Sequence, residues 1–573
     1  MNLAVKPTSP PKLWPPVTAP NPNRTETAES HLKGIPARDT AAEMTDHEPP
    51  KVVALTPALA KQFYPTLLLF VCLAAVHPYR RSAQDPVLDL TTGLEPLFRD
   101  FVSKLAFLCC TEPGGSAVAA CAILQLPEGV QYVFGFNNRT SSELKHKRCE
   151  ITRILHMLHF PLPATDSEKA ALHRQILTAA LAFSEIRIKA YLRSLGTQLQ
   201  VCVRACEQED TTEGSLSKPE AFMTILQSLE PCFEQSPETL KESVSIHAVL
   251  NLIESIDQLF KSNTFVLVGP RLAREENLMS ARHWSDCIHV AGRLLSYRRA
   301  VDVMLLVAST WPQLFDKFQI CMIPSSSGIS NALRGQPLTA ERIVGKMTGD
   351  QELIGRLSEQ LQQLSAHDLD GDIRQIWSQA SKPIVHAEVL VHHWLENTQG
   401  GIRPERFFNR WKFIGSSKPP CKLCSYFFDE YPTDVQVRPS HQNVYFPWRM
   451  PDIYEHQGHD AAITRMRVMG RIKTRICADI ARILSERLSD GRPHDSSTYT
   501  ALAPCRMPGI DGGPPAETAT GLSLSLLRIL DREVVTVVHQ RSADATNEAL
   551  EEEDEVLLFQ GRSSITGPKN NRQ

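Results

Sequence analysis

The sequence predicts an α/β fold in which helix predominates, and three observations carry that expectation. Between Ser381 and Trp448, helical and extended signals alternate around His386, Glu388, Cys421 and Cys424. Over 116–138, two apolar runs flank Pro127-Glu128-Gly129, the pattern of a β-hairpin. Elsewhere up to Ala380 the apolar residues mostly recur with the period of an amphipathic helix.

The chain of 573 residues has room for two to four domains, or for one large domain with insertions. Apolar residues make up 42% and charged residues 22%, as in globular proteins, and a formal net charge of −3 argues against a general electrostatic binder of nucleic acid. Residues 1–50 are rich in Pro, Thr and Ala and lack the apolar core of a secretory signal, so they read as a disordered Pro-rich tail. The 14 cysteines are scattered rather than set in a dense framework, which points to reduced thiols and a cytoplasmic or nuclear setting. Pro57 to Val76 and Leu94 to Cys110 read as helices. The apolar run Tyr64 to Val76 is short for a bilayer and is bounded by Lys61 and by Arg80-Arg81, so a buried helix and no membrane contact are expected.

After Pro113-Gly114-Gly115 the period changes, and Ala117 to Leu124 and Val130 to Phe136 read as the paired strands of the hairpin. From Glu143 to Ala380 helix returns. Thr165-Asp166-Ser167-Glu168 is a capping-box signal, and further helices are expected at Ser245 to Phe260, Ala281 to Ser309 and Asp350 to Ser365. Extended pieces at Phe265 to Val268 and Phe318 to Ile323 interrupt them, and no repeat suggests a solenoid. The expected division is a tail over 1–50, a mostly helical region over 51–380, a motif core over 381–488 and a mostly flexible tail over 489–573. That last region holds one further element at Gly521 to Val538 and an acidic block at Glu551 to Glu555.

Within the motif core, Pro383 and the spacing of Val385, Val389, Leu390, Trp394 and Leu395 put His386 and Glu388 in the first turn of a helix. Arg406 to Gly415 reads as a strand, Ser416 to Pro420 breaks it, and Cys421 opens a helix from Lys422 to Tyr431. His386, Cys421 and Cys424 are zinc ligands by type: an imidazole and two thiolates fill three tetrahedral corners and leave the fourth for water. Two cysteines in a first helical turn can face one ion, and the free N–H groups there favour thiolate. Glu388 is not needed as a ligand and can instead move protons to and from the metal-bound water. His392 stands one turn after Glu388, where it either orients that carboxylate or simply packs. A closed structural site with His441 as fourth ligand is the competing arrangement. Further on, Val435 to Val437 and Asn443 to Trp448 read as strands. Tyr445, Phe446 and Trp448 either fill a core or stack on a base. Ala461 to Leu488 reads as a basic helix with Arg465, Arg467, Arg471, Lys473, Arg475, Arg482 and Arg487, a candidate phosphate contact or a solvated face.

The H-x-E…P-C-x-x-C pattern resembles the zinc-dependent nucleobase deaminase superfamily. His386-Ala387-Glu388 with Lys412 to Lys418 ahead of the cysteines looks like the fungal members of the OTT-like deaminase branch. The resemblance implies a cytidine deaminase-like three-layer core, in which a sheet is flanked by the helices carrying the two motifs. It implies Zn2+ on His386, Cys421 and Cys424, with Glu388 shuttling protons for a zinc-bound hydroxide that attacks a nucleobase in a nucleotide or nucleic acid. It further implies that a hairpin precedes the H-x-E helix. If that hairpin is 116–138, the helical block after it is an insertion; otherwise the first 380 residues form a separate helical domain. Gly135-Phe136-Asn137 looks like the Gly-x-Asn of free-cytidine deaminases, whose Asn contacts the sugar, although Arg139 replaces the family's Glu and suits a phosphate-bearing substrate. Asn137-Asn138-Arg139 as an ordinary polar strand end is the simpler and preferred reading. The alternative of another class is a helical interaction or scaffold protein with a structural zinc site or an inactive deaminase-like domain. The target base and the oligomeric state have no signature in the chain.

Overall fold

The hairpin runs are apolar at consecutive rather than alternate positions, as strands are when both faces are covered. In the computed structural model, which describes residues 51–80, 93–159, 165–209, 245–262, 281–328, 338–364, 366–378, 382–492 and 494–495, they form β1 (Ala119–Leu126) and β2 (Gly129–Phe136), paired antiparallel. The other edge of β2 pairs in parallel with β3 (Phe318–Met322). On the far side, β1 pairs antiparallel with β4 (Phe413–Ser416), and β4 pairs in parallel with β5 (Gln436–Val437). The order is β3-β2-β1-β4-β5, so the early hairpin and the strand between the two motifs share one mixed sheet.

The helices follow the predicted sequence closely. They are α1 (Pro57–Val76), α2 (Leu94–Cys109), α3 (Ser141–His156), α4 (Asp166–Phe183), α5 (Glu185–Glu209), α6 (Ile246–Lys261) and α7 (Ala281–Thr310). After β3 come α8 (Ala340–Val344), α9 (Gln351–Gln362) and α10 (Leu369–Ser378), then α11 (Ala387–Glu396), α12 (Lys422–Glu430) and α13 (Gly458–Glu486). Thr165 and Glu168 close the expected capping box on α4, and Thr140 with Glu143 does the same for α3. Helices cover both faces of the sheet. Cys121, Ile123, Tyr132 and Phe134 point into a core with α2, α4, α5, α6 and α7. Ala120, Ala122, Leu124 and Val133 point into another with α1, α11, α12 and α13. By length and composition α1 could cross a membrane, but Phe63, Leu67, Leu68 and Leu69 are fully buried in that second core. From Val52 onward the described residues form one compact unit.

Two strand expectations are corrected. Arg406 to Gly415 is not one strand: it makes two 3-10 turns, with Asn409 and Arg410 at positive φ, and joins the sheet as a continuous strand only from Phe413. The cause is packing. Phe408 and Trp411 both stack against Phe98 of α2, with centroids 5.5 and 5.1 Å away, and a strand would send residues three apart to opposite faces. Asn443 to Trp448 is likewise irregular, save for a bridge between Trp448 and Ile384. Its rings serve the core, Trp448 against Phe63 and Phe446 against Tyr64. The 1–50 tail, the extended piece at 265–268, the element at 521–538 and the acidic block at 551–555 lie outside the described residues.

Candidate metal centre

His386 is the N-cap of α11, and Glu388 is in its first turn. Cys421 is the N-cap of α12, and its Sγ accepts the backbone N–H of Cys424 at 3.5 Å, an orphan donor of the helix start. The starts of the two helices face each other. His386 Nδ1 lies 3.5 Å from Cys421 Sγ and 3.4 Å from Cys424 Sγ, and the three ligand atoms fall within 4.8 Å of one another. A tetrahedral zinc with ordinary Zn–N and Zn–S bonds holds nitrogen and sulfur about 3.6 Å apart, so these residues fit that ion. No other group of three such side chains comes as close among the described residues. His441 is not part of this one. Its Nδ1 accepts the Asn443 N–H at 3.0 Å, so the closed four-ligand arrangement is not formed.

The sheet sets the position of α11. At the end of β2, Asn137 Oδ1 accepts the Ala387 N–H at 2.7 Å, while its Nδ2 donates to Gly115 O at 2.8 Å. This is where the structure departs from the sugar-contact reading: both polar atoms of Asn137 are engaged in holding the helix start. Ser326 Oγ accepts the Val385 N–H at 2.9 Å from the other side. Arg139 also has internal partners, Glu112 at 3.0 Å and Glu143 at 3.6 Å, so it does not present a free guanidinium to a phosphate. The docking of α12 is electrostatic. Buried Lys422, between the two cysteines, lies 3.2 Å from Asp479 and 2.7 Å from Asp490, and Tyr426 donates to Asp479.

Burial sets the titration of the centre. It pushes Glu388 up to about 7, against the lowering effects of the His386 charge and the Ser416 hydroxyl. It also raises both thiols, but hydrogen bonds from Cys424 and His386 hold Cys421 well below the usual thiol range and leave Cys424 well above it. His386 is lowered by burial, yet ends above its ordinary value because Cys421, Glu388 and the Pro447 carbonyl favour its charged form. The site is a buried imidazole within 3.5 Å of two sulfurs, one of which is favoured as the charged form at the expense of the other.

Several side chains around the centre come from segments where the sequence signalled nothing. Arg438, after β5, donates from Nη1 to Ser416 O at 3.2 Å. From α7 of the helical block comes His289. Past α13 the chain stays ordered. Asp490 binds Lys422, Arg492 N–H donates to Asn443 Oδ1 at 2.6 Å, and Asp495 accepts from Lys418 Nζ at 2.6 Å. His494 stacks on His289 with centroids 3.9 Å apart. Of the basic residues on α13 only Arg465 is buried, reaching Val53 O and Ala54 O; at the surface Arg471 and Arg475 pair with Glu430 and Arg482 with Asp479 and Asp490, and just past the helix Arg487 reaches Gln360 O.

Fold and site together define a class, an α/β protein in which two helix starts bring together three side chains that could hold a metal ion, with a buried carboxylate in the first turn of one helix. Residues 385–452 match the family described as OTT_1508-like deaminase, so the segment that holds the site is that of a deaminase-like family. No curated protein and no solved structure matches the chain.

Proposed function

We propose that the protein is a zinc-dependent hydrolytic deaminase with a cytidine deaminase-like core, acting on a nucleobase. The observation that carries this is the convergence of His386, Cys421 and Cys424 with Glu388 buried at their side, inside the segment matched by the deaminase family. Zinc bound by those three groups supplies Lewis acidity and lowers the pKa of water. Glu388, raised by burial to about 7, holds or releases a proton near neutrality. It carries one proton of the attacking water to the ring nitrogen and then the second, from the newly added hydroxyl, to the departing amine. A C–O bond forms at the amidine carbon, the C–N bond breaks, and ammonia leaves.

The test is Glu388→Gln. Metal analysis should still find one zinc per chain, while ammonia release from nucleosides, nucleotides and single-stranded oligonucleotides falls by at least about a thousandfold. Turnover equal to that of the unaltered protein would remove Glu388 from the chemistry. Loss of zinc instead would make it a ligand.

A further inference from the structure

The three side chains at the metal position are not equally well supported by their own surroundings. Ser326 and Asn137 fix the backbone on either side of His386, and Cys424 lies inside α12. Cys421 instead ends the irregular stretch that leads from β4 into α12. The chain past α13 grips that stretch on both sides of the thiol. Three residues before Cys421, Lys418 Nζ donates to Asp495 at 2.6 Å; immediately after it, Lys422 Nζ donates to Asp490 at 2.7 Å. Between these pairs the Arg492 N–H donates to Asn443 Oδ1 at 2.6 Å, and the Asn443 carbonyl accepts the Lys422 N–H at 3.0 Å.

These contacts are sheltered. The side chains of Lys418 and Asp495 are 18% and 20% exposed, those of Lys422 and Asp490 4% and 21%, so each pair holds more firmly than one in open water. Asp495 is also the one carboxylate within ion-pair distance of Lys418 among the described residues. Both ends of the segment are anchored away from the cysteines. Ser489 N–H donates to Pro78 O at 2.9 Å and Ser489 O accepts the Arg80 N–H at 2.6 Å, while His494 stacks on His289 and lies 3.5 Å from Asp286 of α7. Gly491 lets the segment lie close, since a Cβ there would stand 2.7 Å from both Asn443 Oδ1 and Tyr79 Cε1.

We propose that residues 489–492 with 494–495 are a latch on the metal centre: closed, they hold the Cys421 stretch against His386 and Cys424, and their release is the step that lets the metal leave. For an ion to depart, one ligand must first move away, and the irregular stretch yields before the two helices do. It swings only once Lys418 and Lys422 are freed. By linkage, a metal that favours the closed stretch tightens the latch in return. The inference rests on the metal position alone and is decided without any turnover.

The experiment loads the full chain with Zn2+ and follows transfer of the metal to an excess of chromophoric chelator. Raising the salt from about 0.1 M to about 1 M shortens the screening length from about 10 to about 3 Å and should speed release from the unaltered protein. Asp495→Asn should release the metal at least about tenfold faster and lose most of that salt response. Adding Lys418→Gln to Asp495→Asn should bring no further gain, because both remove the same pair. Gly491→Ala, which changes no charge, should speed release and keep the salt response. Release that is unchanged in Asp495→Asn overturns the proposal, and so does acceleration that only keeps step with a loss of urea-unfolding free energy, the mark of a plain stabilising contact. If the Asp495 variant fails to fold, Lys418→Gln and the unaltered protein carry the test, and release indifferent to salt overturns it.

Discussion

His392 shows how a single buried side chain can tie this fold to pH. It is fully buried among the rings of Phe427, Phe428 and Tyr431, its Nε2 is 2.9 Å from Thr433 Oγ1, and its Nδ1 has no partner. Burial, with the nearby His393 charge, pushes its pKa down to about 4. The folded state therefore holds His392 neutral, while the unfolded chain protonates it near its ordinary pKa of about 6.5. The resulting stability is intact above about pH 6.5 and drains away as the pH falls toward 4, by up to about 3 kcal/mol. His392→Gln should flatten the urea-unfolding free energy across that window, relative to the unaltered protein; parallel pH profiles would show that the ring does not titrate as described. At this scale the sequence is legible only where chemistry restricts residue type. Zinc binding wants an imidazole and thiolates at set spacings, so His386, Cys421 and Cys424 stand out.

The elements owe their placement to close approaches that leave little mark on the periodicity. At Gly135 of β2, a Cβ would stand 2.8 Å from Val391 Cγ2 and 3.2 Å from Ala387 O, so the lack of a side chain lets α11 lie directly on the sheet and brings His386 to the two sulfurs. Gly135→Ala should push α11 outward, lower stability by about 1–3 kcal/mol in urea unfolding and weaken zinc binding as well. Unchanged zinc affinity in a destabilised variant would mean that Asn137 and Ser326 hold the helix start without help from the close approach at Gly135. Most helices were legible because caps and amphipathic spacing are local properties. Strand β4 was misplaced because Phe408 and Trp411 gave a strand-like composition to what is a pair of tight turns against α2. A composition signal does not state which partner the rings will find.

Across the whole molecule, the candidate centre joins parts that the chain keeps far apart. Strand β1 pairs with β4 across the helical block, Asn137 grips the residue after His386, and Lys422 ties α12 to α13 and to Asp490 beyond it. The sequence left open whether the hairpin shares this sheet, because pairing between distant strands is decided by complementary faces and not by any local signal. A metal ion would act on this arrangement as a clasp between α11 and α12. It binds the folded state, in which three ligand atoms converge, far better than the unfolded chain, and at a hundredfold excess over Kd that adds about 2.7 kcal/mol. Chelation should therefore lower the melting temperature of the unaltered protein by a few degrees, and added Zn2+ should restore it. Glu388→Gln should show the same shift, since a carboxylate that only moves protons leaves the ligand set whole, whereas His386→Ala and Cys424→Ser should melt alike with and without chelator. A shift that persists in both ligand variants would place the stabilising metal elsewhere in the chain and undo the account of the centre given above.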